Sequence, residues 1–124
     1  MKTEITILYV DDEPINLFLF NQLFEKKYKV ITAESGYAGL NIIERNPNID
    51  VVISDMKMPG MNGIEFIQKA KELYSNIHYY ILTSFDITPE IDKALKTGLI
   101  DKYFQKPFNL QEIESTISEK LNIT

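Results

Sequence analysis

Cysteine is absent from this chain of 124 residues. Without thiols there is no disulfide framework, no thiolate metal site and no thiol nucleophile, and nothing calls for an oxidising compartment. Histidine is nearly absent as well. His78 stands alone at the start of an apolar run, so it is read as a structural, edge-exposed residue without a partner and without a catalytic role. Clusters of Lys and Arg are missing and the net charge is −5, which argues against direct contact with nucleic acid, since a phosphate backbone is bound by grouped cations. Long hydrophobic runs are missing too: the longest are about half a dozen residues, against the roughly 18 a membrane helix needs. Met1-Lys2-Thr3-Glu4 leads straight into an apolar run with no signal-peptide core. The expectation is a cytoplasmic chain, neither exported nor in a membrane. No linker, repeat or low-complexity stretch divides it, so residues 1–124 are expected to form a single domain with no effector domain attached.

The residues that are present suit one folded unit. Hydrophobic residues make up 44% and charged residues 25% of the chain, the balance of a soluble globular domain. A chain of this length buries roughly two thirds of its unfolded surface, enough to fold without staples. Apolar, β-rich runs recur at Ile5 to Val10, Tyr28 to Ala33, Val51 to Ser54, His78 to Thr83 and Lys102 to Phe104. Between them lie segments with helical periodicity. Strands alternating with helices predict an α/β fold, a doubly wound five-stranded parallel sheet in a three-layer α/β/α sandwich, and runs such as Val51-Val52-Ile53 are what doubly covered strands look like. Helix starts are signalled at Pro14, Ser35-Gly36, Asn62-Gly63, Thr88-Pro89 and Asn109. In the last helix Leu110, Ile113, Ile117 and Leu121 share one face. Tyr79-Tyr80 and Phe66-Ile67 are read as core.

Acidic residues stand where the apolar runs stop. Asp11 and Asp12 close the first run and Asp55 closes the third, while Thr83 and Lys106 stand at the ends of the last two. In an open parallel sheet ligands bind beyond the carboxyl ends of the strands, so these five side chains are predicted to share one site. Three carboxylates brought together repel, and either their pKa values rise or a hard cation neutralises them; oxygen ligands without His or Cys favour Mg²⁺. A carboxylate beside Mg²⁺ can attack phosphorus to give an aspartyl phosphate, Lys106 can pair with a phosphate oxygen, and Thr83 can donate a hydrogen bond. Singly, each residue has a plainer use. Asp11 and Asp12 serve as helix caps, Asp55 as a turn residue before Pro59-Gly60, Thr83 as a β-branched strand residue and Lys106 as a solvated charge. Their joint occurrence points to a site.

These residues resemble the receiver domain of two-component response regulators, and the stand-alone receivers of the chemotaxis type in particular. The resemblance rests on Asp11-Asp12-Glu13-Pro14, the stretch Asp55-Met56-Lys57-Met58-Pro59-Gly60-Met61-Asn62-Gly63, Thr83-Ser84 and Lys106-Pro107-Phe108, and it spans the chain. It implies the strand order 2-1-3-4-5 of the flavodoxin-like receiver fold, Asp55 as phosphoacceptor, and Mg²⁺ held by Asp12, Asp55, the Lys57 backbone carbonyl and often Asp11 through water. It implies a histidine kinase or histidine phosphotransfer protein as donor, and a cis Lys106-Pro107 peptide. It further implies a switch in which Thr83 is drawn inward and Tyr103 turns into the vacated space, reshaping the fourth-helix, fifth-strand and fifth-helix surface for an unknown downstream target or a phosphorylation-dependent homodimer. Met56, Ser84 and Phe85 are expected to flank the phosphoryl group together with Lys57. The bulk of Phe85 is expected to hinder in-line water and lengthen the life of the aspartyl phosphate.

The first helix carries more apolar residues than one buried stripe requires. Leu19, Phe20 and Leu23 are assigned to the sheet, and Ile15 and Phe18, with Gln22, to a second face that docks the phosphodonor. On this reading the chain catalyses only its own phosphorylation and dephosphorylation and is not an enzyme with an external substrate. Three alternatives compete with it. A flavodoxin-like cofactor binder would need a phosphate-cradling loop where Asp11-Asp12-Glu13 stands. An aspartyl phosphatase would space its acids one apart. A constitutive interaction module, or a receiver from a larger hybrid kinase or regulator, is compatible with the sequence.

Overall fold

Each apolar run becomes a strand and each periodic segment a helix. In the computed structural model, which describes residues 4–84, 86–107 and 109–121, the strands are β1 (Thr6–Val10), β2 (Lys29–Ala33), β3 (Val51–Asp55), β4 (His78–Thr83) and β5 (Lys102–Gln105). The helices are α1 (Pro14–Phe24), α2 (Gly36–Arg45), α3 (Gly63–Leu73), α4 (Pro89–Lys96) and α5 (Leu110–Lys120). All five strands are parallel, in the order β2-β1-β3-β4-β5. The fold class and strand order expected from the sequence are both found.

Burial follows position in the sheet. β1 and β3 are buried at every residue because helices cover both faces, whereas β2 and β5, at the edges, keep polar residues such as Lys29 and Gln105 in water. Two cores result. On one face Tyr9, Phe20, Phe24, Tyr80, Phe104 and Ile113 pack beneath α1 and α5. On the other, Leu8, Val52, Ile67, Tyr79, Ile81 and Ile91 pack beneath α2, α3 and α4. Tyr79 and Tyr80, and Phe66 and Ile67, are core residues as expected.

Local chemistry sets the helix boundaries. Ser35, Asn62, Thr88 and Asn109 each accept the backbone N–H three residues on, and Glu65 returns the bond to the Asn62 N–H to complete a capping box. α4 ends on Gly98 at φ +78°, with Leu99 N–H bonded to Ala94 O at 2.9 Å and Gly98 N–H to Leu95 O at 3.2 Å. This Schellman ending needs a residue free to adopt the left-handed region, and glycine does so without strain.

α1 departs from expectation. Phe20 and Phe24 are fully buried and Leu17 is partly buried, but Leu19 and Leu23 are 42% and 46% exposed. The buried stripe therefore runs through Phe20 and Phe24 and not through Leu19 and Leu23, because the two phenyl rings stack on each other at 4.4 Å and, through Phe20, on Tyr9 of β1 at 4.3 Å. Once those rings fill the space beneath the helix, leucines on the flanking positions stay in water. His78 departs too: β4 lies inside the sheet, and the ring Nδ1 is 3.1 Å from the Asp101 carboxylate, so it has a partner.

Candidate functional site

The winding of the sheet reverses between β1 and β3, the two strands whose ends carry acids. β1 leads to β2 on one side, and the chain then crosses to β3 on the other. The register pairs Val10 with Ser54 and Asp55 with Leu82. The next residues on, Asp11 and Thr83, therefore lie beside Asp55 at the carboxyl edge of the sheet. One carboxylate oxygen from each of Asp11, Asp12 and Asp55 lies within 4.8 Å of the others. α3 begins tightly against this edge. Gly63 N–H bonds Met56 O at 2.8 Å, and a Cβ at Gly63 would collide with the Asp55 carbonyl oxygen.

Asp11 is fully buried and nearly saturated as an acceptor. Its Oδ1 takes the Glu13 N–H at 3.0 Å, and its Oδ2 takes the Tyr9 hydroxyl at 2.5 Å and the Lys106 ammonium at 3.0 Å. The bond to Glu13 is a local turn contact, and Glu13, not either aspartate, holds the N-cap position of α1 without a side-chain cap. Lys106 reaches the site from just beyond β5 over a cis Lys106–Pro107 peptide, as expected, and its backbone N–H bonds Thr83 O at 2.8 Å. The ammonium is shared, lying 3.3 Å from Asp55 Oδ1.

The titration behaviour follows from this crowding. Burial pushes the Asp55 carboxyl up from its ordinary 3.8 to about 6; Lys106 offsets part of the shift, and the charge on Asp11 adds to it. Burial works against the Lys106 ammonium, but its bonds and ion pairs with Asp11 and Asp55 outweigh that and hold its pKa above the ordinary lysine value. The Tyr9 hydroxyl is pushed far up by burial and then by its bond to Asp11, so it stays protonated and donates.

A cleft of about 540 Å³ opens above the acids, lined by Asp12, Glu13, Asp55, Lys57, Met58, Pro59, Ser84 and Lys106. Its donor set suits a cation. Three carboxylates converge, all are hard oxygen ligands, and one lysine cannot neutralise three charges, which is the environment that retains a partly hydrated Mg²⁺-sized ion. Asp55, at the mouth of the cleft and 8% exposed, is reachable by an incoming group.

The remaining residues singled out in the sequence are spread more widely. Lys57 and Ser84 line the cleft. Met56 buries its side chain in the core beneath α3, and its backbone N–H reaches the Asp55 carboxylate. Thr83 is fully buried at the end of β4, and Tyr103, paired in register with Ile81, is half-buried and lines a separate groove with Gln105, Pro107, Asn109 and Leu110. Ile15 and Phe18, each 58% exposed, extend outward on α1. Phe85 and Phe108 lie outside the described residues. Sequence reasoning missed Tyr9, although its place two residues before Asp11 on the same face of β1 was a signal that it lies under that carboxylate.

Comparison with known proteins places this arrangement. The family described as the response regulator receiver domain matches residues 7–118. Sporulation initiation phosphotransferase F of Bacillus subtilis is 34% identical over 116 residues, covering 93% of this chain and 92% of that protein. The sensor histidine kinase RcsC of Escherichia coli is also 34% identical over 116 residues, but these make up 12% of its length, so the chain spans about an eighth of that relative. Among solved structures, a response regulator receiver domain protein from Clostridium thermocellum superposes with a TM-score of 0.84 at 32% identity, over 95% of this chain and 94% of that one.

Proposed function

The chain belongs to the response regulator receiver domain family, phosphoacceptor modules of two-component signalling, and on that premise we propose that Asp55 is the residue phosphorylated, in a Mg²⁺-assisted transfer from a phosphohistidine. The observation that carries this is the meeting of Asp11, Asp12, Asp55 and Lys106 in one open cleft. An Asp55 carboxylate oxygen attacks phosphorus in line, the bond from phosphorus to the donor imidazole breaks, and the imidazole takes a proton from solvent. Lys106, already within reach of Asp55, moves to a phosphoryl oxygen, and the Thr83 hydroxyl donates to another. Asp12, Asp55 and the Lys57 carbonyl, together with Asp11, would hold Mg²⁺, which would offset charge on the transferred group.

The inward pull on Thr83 vacates space that Tyr103 turns to fill, which changes the surface made by α4, β5 and α5, where a downstream protein or a second copy binds. A histidine kinase or histidine phosphotransfer protein docks over the exposed Ile15 and Phe18 of α1. The kinship with a protein named as a phosphotransferase supports onward transfer of the group, with no external substrate turned over. The setting is the cytoplasm; among the described residues no helix is long and apolar enough to cross a membrane.

Intact mass after incubation with acetyl phosphate tests the assignment. A gain of about 80 Da, one phosphoryl group, is expected with Mg²⁺, and neither without it nor in Asp55→Asn. A gain of the same size in Asp55→Asn would move the acceptor elsewhere.

A further inference from the structure

The side-chain donor on Asp11 that the proposed reaction does not use is the Tyr9 hydroxyl. Tyr9 lies beneath Asp11 on the same face of β1, has no solvent exposure, and places its hydroxyl 2.5 Å from Asp11 Oδ2. Its ring is locked: it stacks on Phe20 at 4.3 Å and 14°, and Phe20 stacks on Phe24. The hydroxyl is therefore held in place before any ligand arrives. Two other tyrosines of the same aromatic layer, Tyr28 and Tyr80, bury hydroxyls that find no hydrogen-bond partner among the described residues. The layer tolerates unpaired hydroxyls, so packing alone does not require that of Tyr9 to meet a carboxylate.

Asp11 Oδ2 has two suitors, a neutral phenol and the Lys106 ammonium at 3.0 Å, and the same ammonium is 3.3 Å from Asp55. A carboxylate oxygen offers about two lone-pair directions, so each donor limits what the other gains. A cation entering beside Asp11 repels the ammonium but not the phenol. Resting on the functional reading above, we propose that Tyr9 is a positioning residue of the phosphoacceptor site: its hydroxyl shares Asp11 with Lys106, which keeps the ammonium divided between Asp11 and Asp55 and easily released.

Tyr9→Phe preserves the stacked ring and removes only the hydroxyl. In that variant Lys106 is left, among the described residues, as the side-chain donor to Asp11 Oδ2 and must be displaced before a divalent ion settles. Calorimetric titration of the unphosphorylated protein with Mg²⁺ is expected to show affinity weakened about tenfold, the lower end of the loss seen when an outer partner of a metal ligand is removed. At saturating Mg²⁺ the rate of phosphorylation by acetyl phosphate is expected to change less than about twofold, since the ion has by then displaced the ammonium. In a Lys106→Met background the same substitution is expected to leave Mg²⁺ affinity unchanged or tighter, because the competitor is gone; such non-additivity is the mark of a direct coupling. An unchanged affinity in Tyr9→Phe alone, or an equal weakening in both backgrounds, overturns the assignment. Wild-type protein that binds no Mg²⁺ and gains no phosphoryl group would instead fail the functional reading, and this inference with it.

Discussion

Asp55 carries a conflict that a metal-free protein cannot resolve. Its folded pKa of about 6 lies above the ordinary 3.8 because of burial, with Asp11 opposing ionisation and Lys106 only partly favouring it. For an acid with a raised folded pKa, the native state binds the proton more tightly than the unfolded chain, so stability falls as pH rises from about 4 to about 6 and stays low above that. Asparagine at the same position cannot ionise. Asp55→Asn without divalent cations is therefore expected to be more stable than wild type at pH 7.5 by about 1–2 kcal/mol, less than the full equivalent of the shift because solvent at the mouth of the cleft screens the carboxylate. That is a rise of roughly 4–8 °C in Tm for a domain of this size, and it should shrink towards zero near pH 4. A wild type as stable as the variant at pH 7.5 would show that Lys106 already neutralises the site.

At the scale of elements, α1 presents a buried face and an exposed apolar face. It contains no charged residue from Pro14 to Phe24, and its inner face is anchored by Phe20 and Phe24 while Ile15, Phe18, Leu19 and Leu23 stand exposed. Truncation should therefore separate packing from the proposed docking. Phe20→Ala empties space between Tyr9 and Phe24 and is expected to cost about 3–5 kcal/mol in denaturant unfolding. Phe18→Ala is expected to cost less than about 0.5 kcal/mol, as surface changes do, and to leave phosphorylation by acetyl phosphate intact. Transfer from a phosphohistidine protein should slow about tenfold or more if Phe18 anchors that contact. Equal rates from both donors would remove Phe18 from the docking surface. The periodicity of α1 announced too many apolar residues for one stripe, yet could not say which of them the aromatic stack would claim.

For the molecule as a whole, the site is a property of the folded sheet. Asp11, Asp55 and Lys106 belong to separate βα units and meet only when β1, β3 and β5 are in register. A cation bound there should stabilise the native state and not the unfolded chain. At about a hundredfold excess over its Kd, Mg²⁺ is expected to add about 2.7 kcal/mol, or roughly 10 °C in Tm. In Asp55→Asn the gain should be much smaller, so the stability order of the two proteins reverses between chelator and saturating Mg²⁺. A gain equal in both proteins would place the cation away from Asp55.

Much of this was written in local residue choices. Five apolar runs, five helix starts with their caps, and acids at two strand ends are features of neighbouring residues, and near-continuous apolar stretches and near-3.6 patterns make them readable without knowing the fold. Resemblance supplied the strand order and the cis Lys106–Pro107 peptide, and both are present.

Tertiary structure alone decided the rest. Which α1 residues are buried depended on the Tyr9, Phe20 and Phe24 rings stacking across two elements. That His78 has Asp101 as a partner depended on the residues before β5 lying beside β4. That Tyr9 belongs to the acid site, and that Lys106 is divided between Asp11 and Asp55, depended on distances between side chains that folding alone brings into contact. The physical reason is the same in each case: patterning is a property of neighbours along the chain, whereas the sharing of a donor or the filling of a cavity is settled by groups that meet only after folding.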